Sequence, residues 1–214
     1  MKVSGFDDTI AWYNQNAQKY ATVNSGLADL DQIDELAKRI PAGSRILDAG
    51  CAAGRDCNLF EKRGFKVTGI DISDGLIEIA KRDFPRIKFI KMSFLNLSFN
   101  DEYFDAVWAH QSLLHLESIN HVTISLKEFY RVLKPKGILL VLVKAQMGND
   151  KTAIVSDSFS EHDRFFQYFT KEEINNLLNN VGFEIIKLEQ YMEIDKNPQG
   201  RPEVGLILSI SRKP

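Results

Sequence analysis

The sequence predicts a doubly wound α/β fold: a mostly parallel sheet with helices on both faces, finished by a C-terminal antiparallel hairpin. Three observations carry this prediction. Short apolar runs alternate with amphipathic helical stretches from residue 45 onward. The run Ile138-Leu139-Leu140-Val141-Leu142-Val143 is apolar throughout, as a strand covered on both faces must be. The last two strand patterns, residues 184–191 and 204–212, have no helix between them and so pair antiparallel at one edge.

The elements follow in order. Residues 1–40 read as helical: Ile10, Tyr13, Ala17 and Tyr20 recur at helical spacing. Leu27, Leu30, Ile33, Leu36, Ala37 and Ile40 do so more strongly, before Pro41-Ala42-Gly43 stops the run. Residues 45–48 form a strand ending in a turn of small residues, and 56–63 a helix stopped by Gly64. A second strand spans 66–71 and a second helix 74–82, with Ser73 as its cap. Further strands are expected at 87–92 and 104–110. Ile119, Val122, Leu126, Phe129 and Leu133 mark a long amphipathic helix that ends at the turn Pro135-Lys136-Gly137. Residues 145–169 read as polar and irregular with aromatic islands. Thr170-Lys171-Glu172-Glu173 is a capping box opening a helix that closes near Gly182, and Asn197-Pro198-Gln199-Gly200 turns between the final strands. One domain over 1–214 is expected, with 1–40 as a helical cap and 145–169 as a substrate-side loop.

Composition narrows the function. A net charge of -2 with basic residues in scattered pairs disfavours nucleic acid and anionic membranes as partners. Cys51 and Cys57 lie six positions apart, which is neither the spacing of a zinc site nor of a redox pair, and no metal is expected. The N-terminus has no apolar h-region and no run is long enough to span a bilayer, so a cytoplasmic location is expected. A monomer or a homodimer is expected.

The chemistry concentrates at Asp48-Ala49-Gly50-Cys51-Ala52-Ala53-Gly54, where a strand enters a turn of small residues and a helix follows. Small side chains let the backbone approach a ligand, and the helix N-terminus offers N–H groups to an anion. The pattern Gly50-x-Ala52-x-Gly54 departs from the G-x-G-x-x-G of dinucleotide sites, and the Walker lysine is absent. Asp48-x-Gly50-x-Ala52-x-Gly54 resembles motif I of the class I S-adenosylmethionine-dependent methyltransferases, with Ala52 replacing a glycine. Val67-Thr68-Gly69-Ile70-Asp71-Ile72-Ser73 resembles the second-strand motif, Phe104-Asp105-Ala106-Val107-Trp108-Ala109 the fourth-strand motif, and residues 128–137 the helix and turn before the fifth strand. The small, type-11-like subgroup is the most similar.

The resemblance implies S-adenosylmethionine as cofactor, S-adenosylhomocysteine as product, and roles for individual residues. Asp71 accepts the ribose hydroxyls. Asp48 supports the loop or receives the cofactor's ammonium group, with Ala49, Gly50, Cys51 and Gly54 forming the turn. Arg55 pairs with the methionine carboxylate or stands solvated. Ser93 occupies the place of an aspartate that reads adenine, so that recognition leans on Ile72 and Met92. Ala109 and His110 line the pocket from the fourth strand. Tyr13 and Tyr20 either close over the cofactor or pack as core aromatics of an amphipathic helix. His115 is the candidate general base, its alternative role being to pack and cap the next helix, and His121 is expected to be exposed. The aromatic segment 163–169 suits a lid over a small, partly apolar acceptor or a seat for the next helix, with Glu161, His162 and Arg164 as polar contacts. A tRNA or protein methyltransferase, a non-catalytic cofactor-binding protein and an NAD-dependent oxidoreductase are the competing readings.

Overall fold

The computed structural model describes residues 5–26, 28–156, 160–196 and 200–214. Leu27 and the expected turn at Asn197-Pro198-Gln199 lie outside them. Three N-terminal helices, α1 (Phe6–Gln15), α2 (Ala17–Asn24) and α3 (Leu30–Ala37), precede the sheet. Asp29 caps α3 by accepting from Gln32 N. The core then alternates β1 (Arg45–Ala49), α4 (Arg55–Lys62), β2 (Lys66–Asp71), α5 (Asp74–Asp83), β3 (Lys88–Lys91) and β4 (Phe104–His110). A single 3₁₀ turn, Leu113–His115, leads to α6 (Ile119–Val132) and β5 (Leu133–Lys144). After β5 come β6 (Thr152–Val155), β7 (Arg164–Gln167), α7 (Lys171–Val181), β8 (Glu184–Met192), the short α8 (Glu193–Lys196) and β9 (Gly205–Arg212).

Seven strands form one sheet in the order β3-β2-β1-β4-β5-β9-β8, with β1 to β5 parallel and β9 antiparallel to both its neighbours. The expected hairpin forms, with β8 at the edge and β9 inserted beside β5. Strand order reverses between β1 and β4, where open α/β sheets bind ligands beyond the strand C-termini. Alternation along each strand splits the core into two layers. Leu47, Ala49, Val107 and Ala109 pack beneath α6 and α7 with Phe129 and Leu178. Ile46, Ala106 and Trp108 face the other way, onto Phe60 of α4 and Ile77 of α5. Burial on both faces is what makes the central strands continuously apolar.

Two expectations are corrected. Pro135-Lys136-Gly137 does not form a turn outside the sheet: α6 stops at Val132 and strand pairing begins at Leu133. The extra residues are taken up as a bulge, the register with β4 jumping from Phe104↔Leu133 to Ala106↔Ile138 with Lys136 at φ +66°. Residues 145–169 are not irregular throughout, because β6 and β7 pair antiparallel from Thr152↔Gln167 to Val155↔Arg164. Phe166 of this ribbon is buried while its partner Ala153 is half-exposed. The capping box at Thr170 forms as expected, and Gly182 ends α7 in the left-handed conformation. No helix among the described residues is long and apolar enough to cross a membrane.

Candidate active site

A cavity of about 680 Å³ opens over the C-terminal ends of β1, β2, β4 and β5 and is roofed by α1, α2 and the β6–β7 ribbon. Its floor is the loop after β1. Gly50 N and Cys51 N both donate to Ile70 O, at 2.8 and 2.9 Å, which folds the chain sharply at the strand end. Gly50 has φ +86°, and a Cβ there would sit 2.4 Å from Cβ of Ser112. Glycine is therefore required both by conformation and by space. Ala52 also adopts a left-handed conformation, at φ +47°, and its N–H donates to Asp71 Oδ2 at 2.9 Å. Gly54, at φ +83°, is the N-cap residue of α4, and a Cβ there would sit 2.7 Å from the Phe89 ring and 3.1 Å from that of Phe84.

Asp71 binds two loops together. Its Oδ2 accepts from Ala52 N and its Oδ1 from Ser73 N, at 2.9 Å each, while the carboxylate lines the cavity. Burial raises its pKa and these backbone donors oppose the rise. Asn14 of α1 grips the start of α5: its Oδ1 accepts from Ser73 Oγ at 2.7 Å and from Gly75 N at 3.1 Å. That grip sets Tyr13, one residue earlier, over the cavity. Tyr13, Tyr20 and Trp12 pack edge-to-face, with Tyr13 and Tyr20 centroids 5.1 Å apart.

His115 is held at both ring nitrogens. Nδ1 lies 2.9 Å from Phe165 O, a group that only accepts, so Nδ1 carries the proton. Nε2 is then the acceptor for the Tyr13 hydroxyl at 2.9 Å. Burial pushes the imidazole pKa down to about 4, so the ring is neutral near pH 7. His110 stacks on Trp108 at 5.0 Å, and its Nε2 has no partner among the described residues. Burial pushes its pKa down to about 4 as well.

Asp48 alternates onto the α4 face of β1 and is buried, accepting from Cys57 Sγ at 3.0 Å. Burial and the nearby charge of Asp56 push its pKa well above the ordinary carboxylate value of 3.8. For Asp56 burial opposes ionisation, but Arg55 outweighs it through contacts of 2.6 and 3.0 Å and holds the carboxyl low. Trp108 Nε1 donates to the same carboxylate at 3.1 Å. A carboxyl that is neutral when folded and ionised when unfolded weakens folding as pH rises. Its effect is absent below pH 3.8 and grows upward through the raised folded pKa. Asp48→Asn is accordingly expected to stabilise the ligand-free protein at pH 7 by about 2 kcal/mol and not at pH 3.5, as thermal melts across pH would show.

Of the residues expected from sequence, Tyr13, Tyr20, Asp48, Gly50, Cys51, Arg55, Asp71, Ile72, Met92, Ser93, His110 and His115 all line this one cavity. Ala49, Gly54 and Ala109 do not. Ala49 and Ala109 point into the apolar layer under α6, and Gly54 acts on the loop's shape from beneath. Arg55 reaches Asp56 and Asn24 O from the rim. Ser93 Oγ accepts from Leu95 N at 3.2 Å. His121 lies half-buried on α6, less exposed than expected. Glu161 and His162 lie outside the lining, His162 Nδ1 meeting Asp8 Oδ1 at 3.1 Å, whereas Arg164 belongs to the lining. The sequence reading missed Asn14, Lys144, Glu193 and Arg201. Lys144 carried a signal, as the charge that closes the apolar run of residues 138–143, at the edge where ligands bind.

The matched family model is that of a methyltransferase domain, over residues 47–141, the stretch from β1 to β5 that builds the cavity floor. The chain is 29% identical over 198 residues to the putative methyltransferase YqeM of Bacillus subtilis, covering 86% of this chain and 79% of that one. Together these matches support a class I S-adenosylmethionine-dependent methyltransferase. The chain spans less than half the length of several other methyltransferases that it matches. Its fold matches an S-adenosylmethionine-dependent methyltransferase from Methanosarcina mazei (TM-score 0.75, 22% identity, 84% of this chain and 96% of that one). It also matches the 1,6-didemethyltoxoflavin-N1-methyltransferase of Burkholderia thailandensis, solved with 1,6-didemethyltoxoflavin and S-adenosylhomocysteine bound (TM-score 0.74, 18% identity, 97% of this chain and 88% of that one).

Proposed function

We propose that this methyltransferase acts on a small molecule, with His115 taking the acceptor's proton. The observation that carries the reading is one roofed cavity joining the glycine loop and Asp71 to a neutral histidine whose Nε2 lone pair faces inward. The cavity volume suits a cofactor together with a small acceptor and falls within the range of small-ligand sites. The residues fit the cofactor. Gly50 lets the β1 loop pass directly against Ser112, Asp71 keeps oxygen lone pairs toward the cavity, and the lining residues His110 and Ser112 bury Nε2 and Oγ atoms that have no protein partner among the described residues. Asp71 would take the ribose hydroxyls, Ile72, Met92 and Ser93 the adenine, and the loop Gly50–Ala53 with Arg55 the methionine end, under Tyr20. When bound, S-adenosylmethionine supplies an electrophilic methyl group on a sulfonium. An acceptor O–H or N–H at His115 would displace the Tyr13 hydroxyl from Nε2 and give up its proton there as its bond to the methyl carbon forms and the sulfur–methyl bond breaks, leaving S-adenosylhomocysteine. Excluding water strengthens that interaction, and the fixed tautomer keeps Nε2 available. The mild net charge of -2 favours a small acceptor over tRNA.

Calorimetry with S-adenosylmethionine, S-adenosylhomocysteine and NAD tests the cofactor, and preferential NAD binding would overturn it. Labelled-methyl transfer to small acceptors and to total tRNA tests the acceptor, and transfer only to RNA would overturn the small-molecule reading. His115→Ala is expected to lower kcat by about 100-fold to 1,000-fold while S-adenosylhomocysteine affinity stays within about threefold. The wild-type kcat/KM should fall on acidification only as pH approaches about 4, where the imidazole gains its proton, rather than near 6.5.

A further inference from the structure

The acceptor end of the cavity carries a charge arrangement that methyl transfer itself does not need. Lys144 ends β5 with Nζ 3.9 Å from the centroid of the Phe166 ring. Phe166 in turn packs against His115 at 4.9 Å. Arg164, two residues before Phe166 on β7, lies over the Trp12 ring at 4.0 Å and reaches Phe166 at 5.6 Å. Arg201 adds a third cation to the lining, and Glu193 is the carboxylate beside it, accepting from Arg201 Nε at 2.9 Å. Among the described residues this end therefore gathers three cations around one carboxylate, in a chain whose net charge is -2.

The arrangement is costly in the ligand-free protein. Lys144 is half-buried, forms no ion pair with a carboxylate among the described residues, and rests on the π face of Phe166. Burial first, then the charges of Arg201 and Arg164, push its pKa down to about 8, against the opposing pull of Glu193. Like charges held together beside an aromatic wall are stabilised by an anion that enters between them. The reacting atom belongs at His115 Nε2, where a neutral base serves a neutral O–H or N–H. The anionic group thus sits apart from the reacting atom, on the Lys144 side of Phe166.

Resting on the methyltransferase reading above, we propose that the acceptor is a small organic acid whose carboxylate is held by Lys144 and Arg201, with its apolar body against Phe166 and its nucleophile toward His115. Lys144 is then a specificity-determining residue.

The test uses matched acids and amides as probes: 4-hydroxybenzoate and 4-hydroxybenzamide, 3-phenylpropanoate and 3-phenylpropanamide, indole-3-acetate and indole-3-acetamide. Each is titrated calorimetrically at pH 7 into the full chain, with and without S-adenosylhomocysteine. At least one acid is expected to bind about tenfold or more tightly than its amide. That preference should disappear in Lys144→Met and largely return in Lys144→Arg, with S-adenosylhomocysteine affinity unchanged in both. Equal affinity within every pair, binding by neither member of any pair, or a preference that survives Lys144→Met overturns the proposal. Failure of the cofactor reading is separately visible, as absence of S-adenosylhomocysteine binding in the wild type.

Discussion

Asp71→Ala is expected to lower the affinity for S-adenosylhomocysteine by at least about a hundredfold. The carboxylate accepts from Ala52 N on one loop and Ser73 N on the next, at 2.9 Å each, while facing the cavity. Alanine removes the acceptor for a ligand's hydroxyls and also leaves two backbone donors without their partner. The second loss frees Ala52 from a left-handed conformation that costs an alanine about 1 kcal/mol. Two effects are thus superposed, and Asp71→Asn separates them. An amide keeps one carbonyl oxygen and can hold one of the two N–H groups, so it should retain more thermal stability than alanine yet still bind weakly. Calorimetry and melting curves on the three proteins read both quantities. Wild-type affinity in Asp71→Ala would show that ligand binds elsewhere.

Gly50→Ala is expected to destabilise the ligand-free protein by about 2–4 kcal/mol and to weaken cofactor binding by about tenfold or more. The new Cβ would lie 2.4 Å from Ser112 Cβ, a contact that no rotamer relieves because both atoms are fixed to backbone. The φ of +86° adds a conformational cost that space alone cannot remove. Ser112→Gly deletes the clashing atom and leaves Ser112 Cα 3.6 Å away, an ordinary contact. The double variant should therefore recover the steric part and keep the conformational part. Denaturant unfolding of the two singles and the double gives the coupling directly. An additive double variant would mean that the β1 loop moves away from the 3₁₀ turn instead of meeting it.

Most of the fold was legible because its signals are local. Ser73 and Thr170 announce their helices as caps, Gly64 and Gly182 end theirs, and the central strands are apolar on both faces. The glycine loop was legible because its residue types answer a backbone constraint that Gly50 and Gly54 alone satisfy without strain. Illegible features depend on distant partners. Nothing around Pro135-Lys136-Gly137 distinguishes a terminating turn from a bulge, which is decided by the register that β4 imposes. The β6–β7 ribbon is short, and Thr152-Ala153-Ile154-Val155 alternates weakly, so its pairing with Arg164–Gln167 was not evident. Ala49 and Ala109 belong to motifs that touch the ligand side, yet strand alternation turns these particular residues inward. The roles of Asn14 and Lys144 emerge only once α1 and β7 close over the sheet.

That closure has a kinetic consequence. The roof is stitched from chain segments about 150 residues apart: Phe165 N donates to Thr9 Oγ1 at 2.9 Å, and Tyr13 meets His115, which in turn holds Phe165 O. Floor and roof are thus separate in the chain but share one clasp. His115, proposed above as the proton acceptor, is itself a link in that clasp. On that proposal, exchange of spent cofactor and methylated product draws on the same hydrogen bonds that arrange the encounter, so tightening the clasp is expected to slow turnover even where it speeds the bond-making event.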